Sequence, residues 1–198
     1  MKFEDIIRNT EVFGLGSAIR ASKYPMRTDI SETNDELTLG VAERAQAPSG
    51  SGHDCWLKGV LVKCDLTATV KFWTQWQRYH FHDIVSSQST MHKLPKFDLG
   101  SAYIEYVDPR IVEVMKEKSA AYNANPTYEG LLGLLYSNPC GMRLTAQITT
   151  NYLQLKTIYK QRRTHRLPEW KAFCKWIESL PESFLITGNE EGSTDEQS

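Results

Sequence analysis

Between Val60 and Thr67 apolar and polar positions alternate. Val62, Cys64 and Leu66 point one way, and Leu61, Lys63, Asp65 and Thr67 the other. Period two predicts a half-buried strand to about Thr67. The period then lengthens: Val70, Trp73, Trp76 or Gln77, and His80 form one stripe, which predicts a helix from about Thr69 to His80. The clearest helical repeat covers about Thr145–Arg163, with Ile148, Tyr152, Leu155 and Tyr159 as its apolar face. Pro168 starts a further helix, in which Trp170, Phe173, Cys174 and Ile177 repeat at i, i+3, i+4 and i+7 until Leu180-Pro181.

Turn and cap residues divide the rest. Asp108-Pro109 reads as a helix start that turns Ile111, Val114 and Met115 to one side. Asn125-Pro126 opens an apolar helix through Tyr136, broken by Asn138-Pro139-Cys140-Gly141. Phe13-Gly14-Leu15-Gly16 reads as a turn, and Tyr24-Pro25-Met26 as an extended exit. Residues 29–52 are polar and end in Ala47-Pro48-Ser49-Gly50-Ser51-Gly52. They read as a loop with a short helix near Asp35–Arg44. No internal repeat is present.

Composition narrows the class. The chain has 198 residues, 40% of them hydrophobic and 24% charged, so it can fill the core of one sizeable domain or two small ones. The net charge is −1. The last ten residues hold four acids and no base, so the body before them carries +3. That is too little for a general DNA binder, which needs a clustered basic face, and compatible with a local anion site. No apolar run approaches the roughly 20 residues that span a bilayer. Met1-Lys2-Phe3-Glu4-Asp5 does not read as a signal peptide. Cys55, Cys64, Cys140 and Cys174 are scattered without a C-x-x-C pair, which predicts reduced thiols, no metal site and a cytoplasmic location. The acidic tail, residues 189–198, is expected to be disordered beyond an ordered 1–188 domain.

Three groups of residues could carry chemistry. Asn151 and Arg162 are eleven residues apart, so one continuous helix would place them about 20° apart around its axis and about 16 Å along it. Leu155 and Ile158 lie between them. A cation on such a stripe needs a protein carboxylate, a bound anion or a route to water. The neighbouring Lys160, Arg163, His165 and Arg166 strengthen the anion reading. The second group is Gln75-Trp76-Gln77-Arg78-Tyr79-His80-Phe81-His82 with Ser86-Ser87-Gln88-Ser89-Thr90-Met91-His92. It interleaves aromatics with donors, and also fits an ordinary helix end followed by a Ser-rich turn. The third is Gly52-His53, a weak signal alone. No Ser-His-Asp pairing stands out as a nucleophile triad.

In this order, the pieces resemble the flavin-dependent thymidylate synthases. That family's signature is Arg-His-Arg, seven residues, then Ser. Here Arg78-Tyr79-His80 is followed after eight residues by Ser89, with the matching Gln at Gln75. Arg20-Ala21-Ser22 stands for the family's Arg-Val-Ser segment, and Gly52 to Lys58 for its Gly-His-x-Ser-Pro-x-Glu-His stretch. Thr149-Thr150-Asn151, Arg162, His165-Arg166 and Glu169-Trp170 follow the order of its C-terminal part. The resemblance spans about residues 18–180. Ser89–Lys93 and Trp176–Pro181 also look like segments of phage and prophage proteins.

The resemblance implies an α/β (α+β) single domain, a mostly antiparallel central sheet packed by helices. It implies an enzyme that transfers one carbon to C5 of dUMP, or of a related deoxyuridine nucleotide, making dTMP. FAD would be its cofactor, with NADPH and methylene-tetrahydrofolate as co-substrates. A homotetramer with shared sites is implied, and no membrane partner. Carried over by position, Arg162 and Ser89 would be catalytic. Gln75, Arg78, Gln88, Ser89 and Arg162 would bind substrate. His53, Arg78, Tyr79, His80, Asn151, His165 and Arg166 would bind the cofactor. The signature's central His is Tyr79, its second Arg is His80, and the Arg-Tyr that follows the Ser is Met91-His92. Those departures support an alternative: a nucleotide-binding or assembly protein on the same scaffold, without FAD.

Overall fold

The computed structural model describes residues 1–188; the tail expectation for 189–198 lies outside them. Four strands, β1 Ile7–Phe13, β2 Leu61–Thr69, β3 His82–Ser87 and β4 Arg143–Asn151, form an antiparallel sheet in the order β1-β2-β4-β3. The helices among the described residues are α1 Leu15–Ala21, α2 Leu39–Gln46, α3 Val70–Trp76, α4 Thr90–Lys93, α5 Pro109–Ala124, α6 Tyr128–Ser137, α7 Tyr152–Arg162, α8 Pro168–Glu178 and α9 Phe184–Thr187. The expected α+β architecture, with an antiparallel sheet packed by helices, is the one found. No helix of the described residues is long and apolar enough to cross a membrane.

The chain forms two compact units, each assembled from separate segments. Among the described residues, the first comprises 1–65, 79–83 and 148–188; the second comprises 66–78 and 84–147. In the first, α7 is the central element. Its buried Tyr152, Leu155, Ile158 and Tyr159 pack with α8, α9 and the 3-10 turn Cys55–Gly59. All four apolar residues foreseen on α8 are buried. Trp176 Nε1 reaches back to Thr10 Oγ1 of β1 at 3.0 Å. Gly14 starts α1 at φ +80°, and a Cβ there would lie 2.5 Å from the Gly59 carbonyl oxygen, so only glycine fits.

In the second unit α5 packs on α6 around Leu94, Leu99, Tyr103, Met115, Leu134 and Met142. Phe72 and Trp76 of α3 stack at 5.8 Å. Trp73 Nε1 donates to the Leu144 carbonyl at 3.2 Å.

Several expectations change. The alternation at Val62, Cys64 and Leu66 holds, and β2 continues to Thr69, whose hydroxyl caps α3 at Phe72 N. Helix α3 therefore ends at Trp76, and His80 lies outside it. The long helix at 145–163 is half strand. Ala146, Ile148 and Thr150 alternate into the interior before α7 begins at Tyr152. A step of four residues from Ile148 to Tyr152 satisfies period two as well as period 3.6, and the β-branched run Ile148-Thr149-Thr150 decides for strand.

On α5, Met115 is buried but Ile111 and Val114 are 43% and 47% exposed. The buried face instead continues to Ser119, with Val112 packed beside it. Tyr24–Met26 is a 3-10 turn, because Pro25 suits a first helical turn. Thr127, not Asn125, caps α6. The short helix in the polar stretch starts at Leu39 instead of Asp35. Strand β3 carries no alternating burial, and neither it nor β1 has a period-two signal in sequence.

Candidate functional site

In the first unit, the last residue of α7 is held from three sides. Arg162 Nε donates to the Tyr79 hydroxyl oxygen at 2.7 Å. Its guanidinium carbon lies 4.8 Å from the centre of the Trp170 ring and 5.6 Å from that of Tyr79. Those rings meet edge to face at 5.9 Å. Tyr79 and Trp170 are buried, whereas Arg162 is only half-buried. Its two terminal amino groups make no hydrogen bond or ion pair within the described residues. A rigidly held cation with two open N–H pairs can bind a carboxylate, a phosphate or a polarised carbonyl.

The order of the local chain explains the placement. After α3 the chain leaves its helix at Gln77, and the 79–81 segment is fastened to β4 and α7. Phe81 N donates to Gln154 Oε1 at 3.2 Å, and Thr150 Oγ1 donates to the Phe81 carbonyl at 3.0 Å. Tyr79 is thereby directed inward and His80 outward to solvent.

The other expected residues of this unit divide into engaged and open groups. Asn151 is the cap of α7, in an extended conformation at φ −140°, and its side-chain oxygen accepts from Gln154 N at 2.9 Å. It is not a helical residue on a stripe with Arg162; it stands at the opposite end of α7. His165 Nδ1 accepts from Leu167 N at 3.1 Å. Burial, with the Arg162 charge second, holds the His165 pKa below its ordinary value, against the pull of Glu169. His53, His80 and Arg166 are exposed.

The loop carrying His53 is pinned by a residue that sequence reasoning missed. Lys156 Nζ reaches Asp54 Oδ2, the Ala45 carbonyl and the Ala47 carbonyl, each at 2.7 Å. The two side chains are 13% and 2% exposed. Only the position of Lys156, between the buried Leu155 and Ile158, hinted at an inward charge.

The second unit holds Gln75, Arg78, Gln88 and Ser89. Gln75 is half-buried near the end of α3, and Arg78 is exposed just beyond it. Gln88 pairs twice with Thr145: its N–H donates to the Thr145 carbonyl, and its side-chain oxygen accepts from Thr145 N, both at 2.9 Å. Ser89 caps α4, its oxygen accepting from His92 N at 3.3 Å, so its hydroxyl proton is available to donate. Gln88 and Ser89 line a cleft of about 390 Å³ with Lys93, Lys96, Phe97 and Asp98. The two lysines escaped the sequence reading. They supply positive charge beside Met91-His92.

No protein-family profile matches this sequence. No curated protein matches it either. Solved structures do. A flavin-dependent thymidylate synthase of Helicobacter pylori, in complex with FAD and dUMP, superposes with a TM-score of 0.72 at 12% identity. The match covers 94% of this chain and 97% of that one. A second structure of the Helicobacter pylori enzyme with FAD and dUMP gives a TM-score of 0.69 at 14% identity, over 91% and 97% of the two chains. Likeness at such identities speaks to architecture, and it establishes that this chain is built on the flavin-dependent thymidylate synthase scaffold.

Proposed function

We propose that the protein is a flavin-dependent enzyme that transfers one carbon to C5 of dUMP, or of a related deoxyuridine nucleotide, making dTMP. The observation that carries the reading is Arg162: fixed through Nε by Tyr79, flanked by Trp170, and open at both amino groups. A cation so placed stabilises negative charge that develops on a uracil ring when its C5–C6 bond is attacked. Ser89 and Gln88 would donate to the nucleotide, with Gln75 and Arg78 in the same role.

The donor set suits FAD by charge. His53, His80 and Arg166 are exposed in the first unit and Arg78 in the second, and a diphosphate calls for such cations and donors. Asn151 and His165 have one polar atom each already engaged, leaving the Asn151 amide N–H2 and the far ring nitrogen of His165 to serve. When bound, FAD would supply the hydride, with NADPH as reductant and methylene-tetrahydrofolate as carbon donor. The chain would act in the cytoplasm as a homo-oligomer, a tetramer with shared sites.

A second reading, a nucleotide-binding or assembly protein that has lost FAD, draws on one observation: Tyr79 is turned into the interior, away from solvent. The two separate by experiment. The enzyme reading expects added FAD to acquire a protein-perturbed visible spectrum, and dTMP to form only when FAD, NADPH, methylene-tetrahydrofolate and dUMP are all present. Binding of dUMP by a protein that leaves the FAD spectrum unperturbed would establish the second reading instead.

A further inference from the structure

We infer that Tyr79 is the positioning residue of Arg162 and not a contact for the cofactor. The inference rests on the reading of Arg162 as a ligand-binding cation. The place of Tyr79 in the signature points to FAD. The geometry points inward instead: the phenol oxygen receives Arg162 Nε–H at 2.7 Å, and the hydroxyl lies 3.2 Å from Gln161 Oε1, to which it donates. One oxygen thus takes the arginine's inner proton on a lone pair and spends its own proton on the neighbouring amide.

This arrangement fixes the direction of the fork. A guanidinium bonds through Nε plus one amino group, or through both amino groups. With Nε occupied by Tyr79, only the edge formed by the two amino groups is left for a ligand. The Trp170 ring at 4.8 Å and the Tyr79 ring at 5.6 Å restrict rotation about the last side-chain bonds. Tyr79 and Trp170 are both buried, so the cage is part of the unit's packed interior and exists before any ligand arrives. Preorganisation of this kind lowers the ordering cost that a long side chain pays on binding.

Tyr79→Phe keeps the ring and deletes the bond, which makes it the informative variant. The test compares the wild type, Tyr79→Phe, Arg162→Lys and the double variant. In the ligand-free protein, the Arg162 Nε–H resonance is assigned by its disappearance in Arg162→Lys. We expect it to exchange slowly with solvent in the wild type and about 10-fold faster in Tyr79→Phe. In calorimetry, Tyr79→Phe should weaken dUMP binding about 10-fold while FAD affinity stays within about twofold. On the Arg162→Lys background, which has no Nε–H, the same change should cost nothing further. Unchanged exchange in Tyr79→Phe would overturn the inference. So would an equal loss of dUMP affinity on both backgrounds, or loss of FAD binding with dUMP affinity intact. If the exchange result holds but the wild type ignores dUMP, the nucleotide reading fails and the positioning role stands.

Discussion

Tyr79 and Arg162 lie 83 residues apart in the chain and share a 2.7 Å hydrogen bond, with the guanidinium as donor. The bond joins the stretch after α3 to the last turn of α7, and Trp170 of α8 closes over it. Three elements of the first unit therefore fix one cation. A bond between a charged donor and a phenol contributes about 1.5–3 kcal/mol, enough to hold a side chain that would otherwise sample many rotamers.

The Lys156–Asp54 pair is a second device of the same unit, and it ties the His53 loop to α7. Lys156→Met leaves the Asp54 carboxylate buried without its cation and two carbonyls without their donor. The expected loss is about 3–5 kcal/mol in urea unfolding. A loss below about 1 kcal/mol would mean that water replaces the ammonium at little cost.

The burial of α5 separates two adjacent residues. Met115→Ala should cost about 2–5 kcal/mol, because the side chain is fully buried. Val114→Ala should stay within about 0.5 kcal/mol, since Val114 is 47% exposed. Equal losses, measured by chemical denaturation, would contradict the packing of α5 described above.

His165 gives a pH signature. Burial and the nearby Arg162 depress its pKa below the ordinary 6.5, so the fold favours the neutral ring, whose Nδ1 accepts from Leu167 N. A histidine with a depressed folded-state pKa contributes stability that is present above pH 6.5 and is lost as pH falls through the folded-state value. Unfolding midpoints of the wild type and His165→Gln, taken from about pH 7.5 down to about pH 5, should show the wild type losing more. A relative gain for the wild type on acidification would reverse the sign and refute the assignment.

How much of this was legible in the sequence depends on the range of the interaction. Strand β2 and helix α8 followed from local periodicity, because each has one buried face and no competing pattern. The 145–163 stretch misleads because the step from Ile148 to Tyr152 satisfies both periods, and the β-branched run Ile148-Thr149-Thr150 decides for strand. Strand β3 has no buried residue, so no pattern marks it. In the site, Arg162 could be found from its stripe with Leu155 and Ile158. Its partner Tyr79 could not, because nothing local links the two. Asn151 stands out in the sequence, but its work is capping, which depends on the strand-to-helix junction. Lys156, Lys93 and Lys96 look like any surface lysine until the loop and the cleft are formed.

The most direct measurement is a calorimetric titration of dUMP into the FAD-supplemented protein, run in parallel on the wild type and Arg162→Ala. The account predicts saturable binding to the wild type and affinity lower by about 100-fold or more in the variant, which stays folded with an unfolding midpoint lowered by the loss of the Tyr79 bond. Equal affinity in the two proteins, or no binding to either, would contradict it.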